Sequence, residues 1–180
     1  LGYTGALFAT GAHDVWVLAG ALLSYTERLK FLVAIHPGLV APTLLAKMAA
    51  TLQDFSRGRL LINVVSGDAK MLGAYGMTMP HDDRYAMADE YLQIWHRLFA
   101  GETVNFKGQY FNTDGAKLAL PVGDSIAAPP LWFGGSSDKA LDVAAKHVQT
   151  YLSWGETPEQ IGEKVKAVKA RAEHYGRELE

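Results

Sequence analysis

The residues in this sequence best suited to chemistry stand directly after short apolar runs. Gly134-Gly135-Ser136-Ser137 follows Leu131-Trp132-Phe133 and precedes an alanine-rich helical pattern. Two glycines permit close approach, two hydroxyls can donate, and the free amides of a helix start attract an anion. The segment reads as a phosphate cradle or, equally, as an ordinary strand-to-helix turn with Ser137 or Asp138 as N-cap. Asn63 interrupts a run otherwise made of Leu, Ile and Val, so its amide needs hydrogen-bond partners from a neighbouring strand end or from a ligand. His13 and His36 each follow an apolar run, where a histidine can donate to an oxyanion or move a proton. His81 and Tyr85 are four apart at a helix start and so share a side, with Arg84 beside them. A capping or surface role for His81 and a core role for Tyr85 are the plain alternatives. Trp154 ends a run and is a candidate pocket wall, whereas Trp16, Trp95 and Trp132 read as core.

The apolar runs are the elements that must position these groups. Gly5 to Thr10, Leu29 to Ile35, Leu60 to Val65, Leu131 to Phe133 and Val148 to Trp154 read as strands. Between them, Asp14 to Tyr25, Pro42 to Phe55, Asp82 or Asp83 to Ala100, Asp138 to His147 and Pro158 to Tyr175 carry helical spacing. Asp82 or Asp83 is expected to cap the third of these. Gly67 to Pro80 shows no period and is long for a βα loop, as functional loops often are. A β-hairpin is expected from Thr103 to Phe106, a turn at Lys107-Gly108, and Gln109 to Asn112. The rhythm is α/β with a parallel sheet, either doubly wound or a (β/α)8 barrel, and in both ligands bind at the carboxyl ends of the strands.

Composition narrows the chemistry. The 180 residues are 49% hydrophobic and 20% charged, as expected of one globular domain. The 17 basic and 19 acidic residues are interspersed, leaving no basic face for nucleic acid. No apolar run approaches the roughly 20 residues of a membrane span, and a cytoplasmic location is expected. With no cysteine, disulfides and thiolate chemistry are excluded. Two histidines without a carboxylate third ligand make a poor zinc signature, so no metal is expected. G-x-S-x-G, Walker A and G-x-G-x-x-G motifs are absent.

Taken together, Leu29 to Pro37, Pro42 to Thr51, Gly58 to Gly67, His81 to Tyr85 and Phe133 to Ser137 resemble the bacterial luciferase-like flavin monooxygenases. Within these, the resemblance is greatest to the FMNH2-dependent alkanesulfonate monooxygenases. The G-R-x-x-x-N-x-V-[ST]-G segment ending in Ser66-Gly67, the F-G-G-S-S segment, and Tyr151 to Gly155 carry it. The resemblance implies a (β/α)8 barrel that uses O2 and reduced FMN from a separate NAD(P)H-dependent flavin reductase. An alkanesulfonate would become an aldehyde and sulfite, and the full-length protein would be a homo-oligomer.

Carried over by position, Asn63, Ser66, His81, Arg84 and Tyr85 would contact the flavin, Gly135, Ser136 and Ser137 would hold its phosphate, and Thr10-Gly11 would border its ring. His81 and His36 are the catalytic candidates, and His13, His36 and Trp154 the substrate candidates. The sequence departs from the pattern in a shortened loop after Gly11 without the cysteine relatives often have there. It departs again at His36, an arginine position in close relatives, and in a divergent loop after Gly67. Leu1-Gly2-Tyr3 reads as the tail of a preceding helix, and the resemblance places the first and the last two barrel strands outside residues 1–180. Related readings are an oxygenase acting on a sulfone, aminopolycarboxylate or pyrimidine, a deazaflavin-dependent reductase, and a non-catalytic barrel fragment that needs a partner.

Overall fold

Runs buried on two sides must pair with one another, and here they do so in parallel. A computed structural model describes residues 2–178. Its elements in order are β1 (Gly5–Phe8), α1 (Val15–Leu22), a 3-10 turn (Leu23–Tyr25), β2 (Lys30–Ile35), α2 (Pro42–Ser56), β3 (Leu60–Val64) and α3 (Ala69–Ala74). Then come α4 (His81–Phe99), β4 (Val104–Lys107), β5 (Asn112–Ala116), β6 (Leu131–Gly134), α5 (Asp138–His147), β7 (Thr150–Leu152) and α6 (Pro158–His174). A five-stranded parallel sheet runs β1-β2-β3-β6-β7, and β4 pairs with β5 as an antiparallel hairpin.

Alternation along the strands separates the two faces. Phe31, Val33 and Ile35 of β2, Leu60, Ile62 and Val64 of β3, and Leu131 and Phe133 of β6 are all buried in one core with α2, α4 and α5. Helix α2 packs on α4, α4 on α5 and α5 on α6, so these helices form one layer. The opposite face carries Leu7, which is 49% exposed, the half-buried Leu61, Trp132 and Leu152, and the buried Asn63. Helices covering one face of a parallel sheet are the barrel arrangement and not the doubly wound one. Helix α4 supplies the largest share of the core through Tyr85, Ala88, Tyr91, Leu92, Trp95, Leu98 and Phe99. Each large side chain so buried contributes about 1.5–3 kcal/mol.

Local chemistry sets the element ends. Pro42 opens α2, and Arg57 in the left-handed region closes it at φ 55°. From that end the buried Gln53 accepts from the Leu60 amide at 3.1 Å, tying helix to strand. Several boundaries differ from expectation. Helix α4 starts at His81 with Pro80 in the cap position, so Asp82 and Asp83 fall in the first turn, where they favour the helix dipole without capping it. The stretch expected to be irregular holds α3, capped by Asp68, whose carboxylate accepts from the Met71 amide at 2.7 Å. Six residues are too few to display a period. Strand β1 stops at Phe8 because Thr10 turns away toward His36, and β7 begins at Thr150 because the Val148 amide still serves α5. Trp95 is core as expected, but Trp16 and Trp132 are only half-buried. Gly2 and Tyr3 are not helical, and Leu1 lies outside the described residues.

The hairpin forms with its second strand at Asn112–Ala116, later than expected. The reason is Glu90 of α4, whose carboxylate accepts from the amides of Gln109, Tyr110 and Phe111 at 2.7, 2.9 and 3.1 Å. Those residues make a loop and cannot extend a ladder. Glu90→Ala is expected to cost about 1 kcal/mol and to speed hydrogen exchange of these three amides selectively, which amide-resolved exchange will show.

Candidate functional site

The parallel register brings the polar residues after β1, β2, β3, β6 and β7 to one edge. At its β1 end the Thr10 hydroxyl lies 2.6 Å from Nε2 of His36, and Nδ1 of His36 lies 3.1 Å from the Val65 carbonyl. A carbonyl can only accept, so Nδ1 carries the proton and Nε2 accepts from Thr10. Burial pushes the His36 pKa down, outweighing the Val65 carbonyl and the charge of Asp68, which both act to raise it. The result is a neutral imidazole with a fixed tautomer. His36, Thr10, Gly11 and the exposed His13 line a cavity of about 280 Å³ that is otherwise walled chiefly by Trp16, Leu39, Val40 and Tyr75.

In the centre, Asn63 sits in register between Ala34 of β2 and Trp132 of β6. It is 6% exposed, and its Oδ1 is buried without a hydrogen-bond partner. The Ser66 hydroxyl donates to the Tyr85 hydroxyl at 3.0 Å, and the Tyr85 ring lies 4.8 Å edge-on from the His81 ring. His81 itself is exposed, with Nδ1 2.9 Å from the Asp82 carboxylate. Arg84 is buried and donates to the Met79 carbonyl at 2.8 Å, while its Nε has no partner.

At the β6 end the turn is tightly packed. A Cβ on Gly135 would lie 2.6 Å from the Ala140 Cβ and 3.6 Å from the Tyr85 hydroxyl, so only glycine fits here. The Gly135 carbonyl accepts from the Tyr151 hydroxyl at 2.6 Å. Ser137 is the N-cap of α5, accepting from the Ala140 amide at 3.2 Å, a role that uses its oxygen as acceptor and leaves its hydroxyl hydrogen able to donate. Ser136 is exposed and meets Lys164 and Glu156. Trp154 lies beyond the end of β7 and is 75% exposed, its indole nitrogen beside Gly134.

The fold thus joins Thr10 to His36, Ser66 to Tyr85 and His81, and Gly135 to Tyr85, while His13, Trp154 and Arg84 make no side-chain hydrogen bond to the other candidates. Lys164 and Glu156 were not among the sequence candidates. Lys164 is one of several lysines on a polar helix, and its 28-residue separation from Ser136 leaves no local signal. Among the described residues no group of three or more His, Cys, Asp or Glu could hold a metal, and no helix is long and apolar enough to cross a membrane.

A one-layered parallel β/α sheet with its polar residues at the carboxyl edge defines a TIM-barrel type of α/β protein. The family described as luciferase-like monooxygenase matches residues 1–180, and the chain belongs to that family. Among solved structures, a long-chain alkane monooxygenase aligns over 94% of this chain and 44% of its own length at 26% identity and TM-score 0.81. A riboflavin lyase with modified FMN and riboflavin aligns over 93% and 42% at 24% identity and TM-score 0.84. An F420-dependent secondary alcohol dehydrogenase aligns over 99% and 59% at 22% identity and TM-score 0.86. The chain therefore spans about half the length of these structures.

Proposed function

We propose that the chain is the cofactor-holding part of a two-component monooxygenase that binds reduced FMN delivered by an NAD(P)H-dependent reductase. The observation that carries this reading is the buried, unpartnered Oδ1 of Asn63 at the carboxyl edge. A buried acceptor without a donor is costly unless a ligand supplies one, and a flavin ring N–H is such a donor. The close-packed Gly135 turn, Ser136 and Ser137 suit the phosphate, and Ser66, Tyr85, His81, Arg84 and Thr10-Gly11 would contact the rest of the flavin. When bound, reduced FMN supplies two electrons to O2, so one oxygen atom enters the substrate and the other leaves as water.

The residues of the chain orient and move protons. His36, neutral and fixed by Val65, presents Nε2 as a base through the Thr10 hydroxyl, and His81 stands exposed at the start of α4. The substrate class we propose is an alkanesulfonate, converted to aldehyde and sulfite. The remaining strands would come from a longer protein, which would act in the cytoplasm as a homo-oligomer. The match to about half of each neighbour supports the longer protein alone. A related oxygenase with an uncharged substrate is favoured by one observation: no lysine or arginine lines the His36 cavity. Incubation of the full-length parent protein with reduced FMN, O2 and alkanesulfonates of several chain lengths is expected to release sulfite. No sulfite at any length, with oxygenation of a ketone or alkane, would transfer the assignment to the second reading.

A further inference from the structure

Three donors from three elements converge on a single carboxylate at the β6–β7 end of the edge. The Ser136 hydroxyl after β6 and the Ser153 hydroxyl after β7 both donate to Glu156, and the Lys164 ammonium of α6 pairs with the same carboxylate. Lys164 also donates to the Ser136 oxygen at 2.6 Å. The side chains of Glu156 and Lys164 keep 19% and 21% exposure, so a solute can reach both. Lys164 holds the Glu156 carboxyl below the usual carboxylate range, with the Ser153 hydroxyl adding to the effect. The cluster lies beside the start of α5, whose dipole favours an anion at the same place.

The geometry points to Glu156 as a resident stand-in for an incoming phosphate dianion, with Lys164 as a further phosphate ligand. In this inference, binding of a phosphomonoester expels the Glu156 carboxylate and passes Ser136, Ser153 and Lys164 to the phosphate. The exchange is favourable because a phosphate carries nearly twice the charge of a carboxylate and three acceptor oxygens for the same donors. The loop can accommodate it: Gly155, next to Glu156, is in the left-handed region at φ 43° with open space around it. The helix beyond is anchored, since Thr157 and Gln160 form a capping box that holds the start of α6 and thus Lys164. That the phosphate is carried on FMN rests on the function proposed above.

The test is titration of oxidised FMN, riboflavin and inorganic phosphate into the protein and its Lys164→Met, Lys164→Arg and Glu156→Gln variants, read by flavin fluorescence and calorimetry. Lys164→Met is expected to weaken FMN about tenfold, the worth of one charge-assisted hydrogen bond, and to leave riboflavin unchanged. Lys164→Arg keeps most of the FMN affinity. Glu156→Gln tightens FMN about threefold or more without altering riboflavin, a gain that misfolding cannot produce. An FMN-to-riboflavin affinity ratio that is the same in all four proteins overturns the inference. If neither flavin binds the unsubstituted protein, the flavin reading fails and inorganic phosphate decides this one. Phosphate binding lost in Lys164→Met then supports it, and phosphate binding that is absent or insensitive to Lys164 overturns it.

Discussion

Replacing Asn63 with leucine is expected to make the flavin-free protein more stable and to weaken FMN binding at least tenfold. The amide lies within the sheet between Ala34 and Trp132, and its Oδ1 has no partner. An unsatisfied buried acceptor costs about 1–3 kcal/mol, whereas leucine has the same branching and number of side-chain heavy atoms and buries only apolar ones. Urea unfolding should therefore show a gain of about 1–2 kcal/mol. Loss of the hydrogen bond to the ligand accounts for the tenfold fall, which is about 1.4 kcal/mol. A variant that is less stable and binds FMN as before would remove the main support for the cofactor site. Opposite signs in the two measurements would mark Asn63 as a position held for binding at the expense of stability.

Acidification between about pH 6.5 and 4 should destabilise the protein by roughly 2–3 kcal/mol, with His96 on α4 as the main source. The His96 ring stacks on that of His147 at 5.4 Å between centroids, and Nε2 of His147 lies 2.9 Å from the Asp89 carboxylate. Burial pushes His96 down from its ordinary 6.5 to about 4, helped by the charges of His147 and Arg177. The unfolded chain accepts a proton near pH 6.5 and the folded chain refuses it until about pH 4. Stability is thus intact above the first value and falls as pH drops toward the second. His36, also depressed by burial, adds a loss of the same sign. Asp89 acts lower down: held at about 2 mainly by the His147 hydrogen bond, it loses its contribution as pH falls below its ordinary 3.8. Urea unfolding at pH 7.5, 5.5 and 4.5 should show a shallower decline in His96→Phe than in the unsubstituted protein. Equal slopes would assign the acid sensitivity elsewhere.

What could be read from the sequence followed how local the cause was. The runs at Leu29 to Ile35 and Leu60 to Val65 announce buried strands because most of their residues, Phe31 to Ile35 among them, are buried on both faces, and the α4 stripe from Tyr85 to Leu98 repeats at the helical period. Helix ends with their own chemistry, such as Pro42 or Pro158, were equally plain. The hairpin register was not, because Glu90 lies about twenty residues before the amides it binds. Helix α3 was missed because one short turn and a half has too few positions to reveal a face.

The sequence by itself determined the α/β rhythm, the family, and the polar residues placed after each strand. Only the tertiary structure decided which of these meet. Thr10 reaches His36 across 26 residues, Ser66 reaches Tyr85 across 19, and Ser136 reaches Lys164 across 28. It also decided that the Oδ1 of Asn63 is left without a hydrogen-bond partner and that helices cover one face of the sheet. The reason is physical: parallel pairing aligns strand ends from distant segments at one edge, and hydrogen bonding, burial and charge at that edge depend on the neighbours it creates.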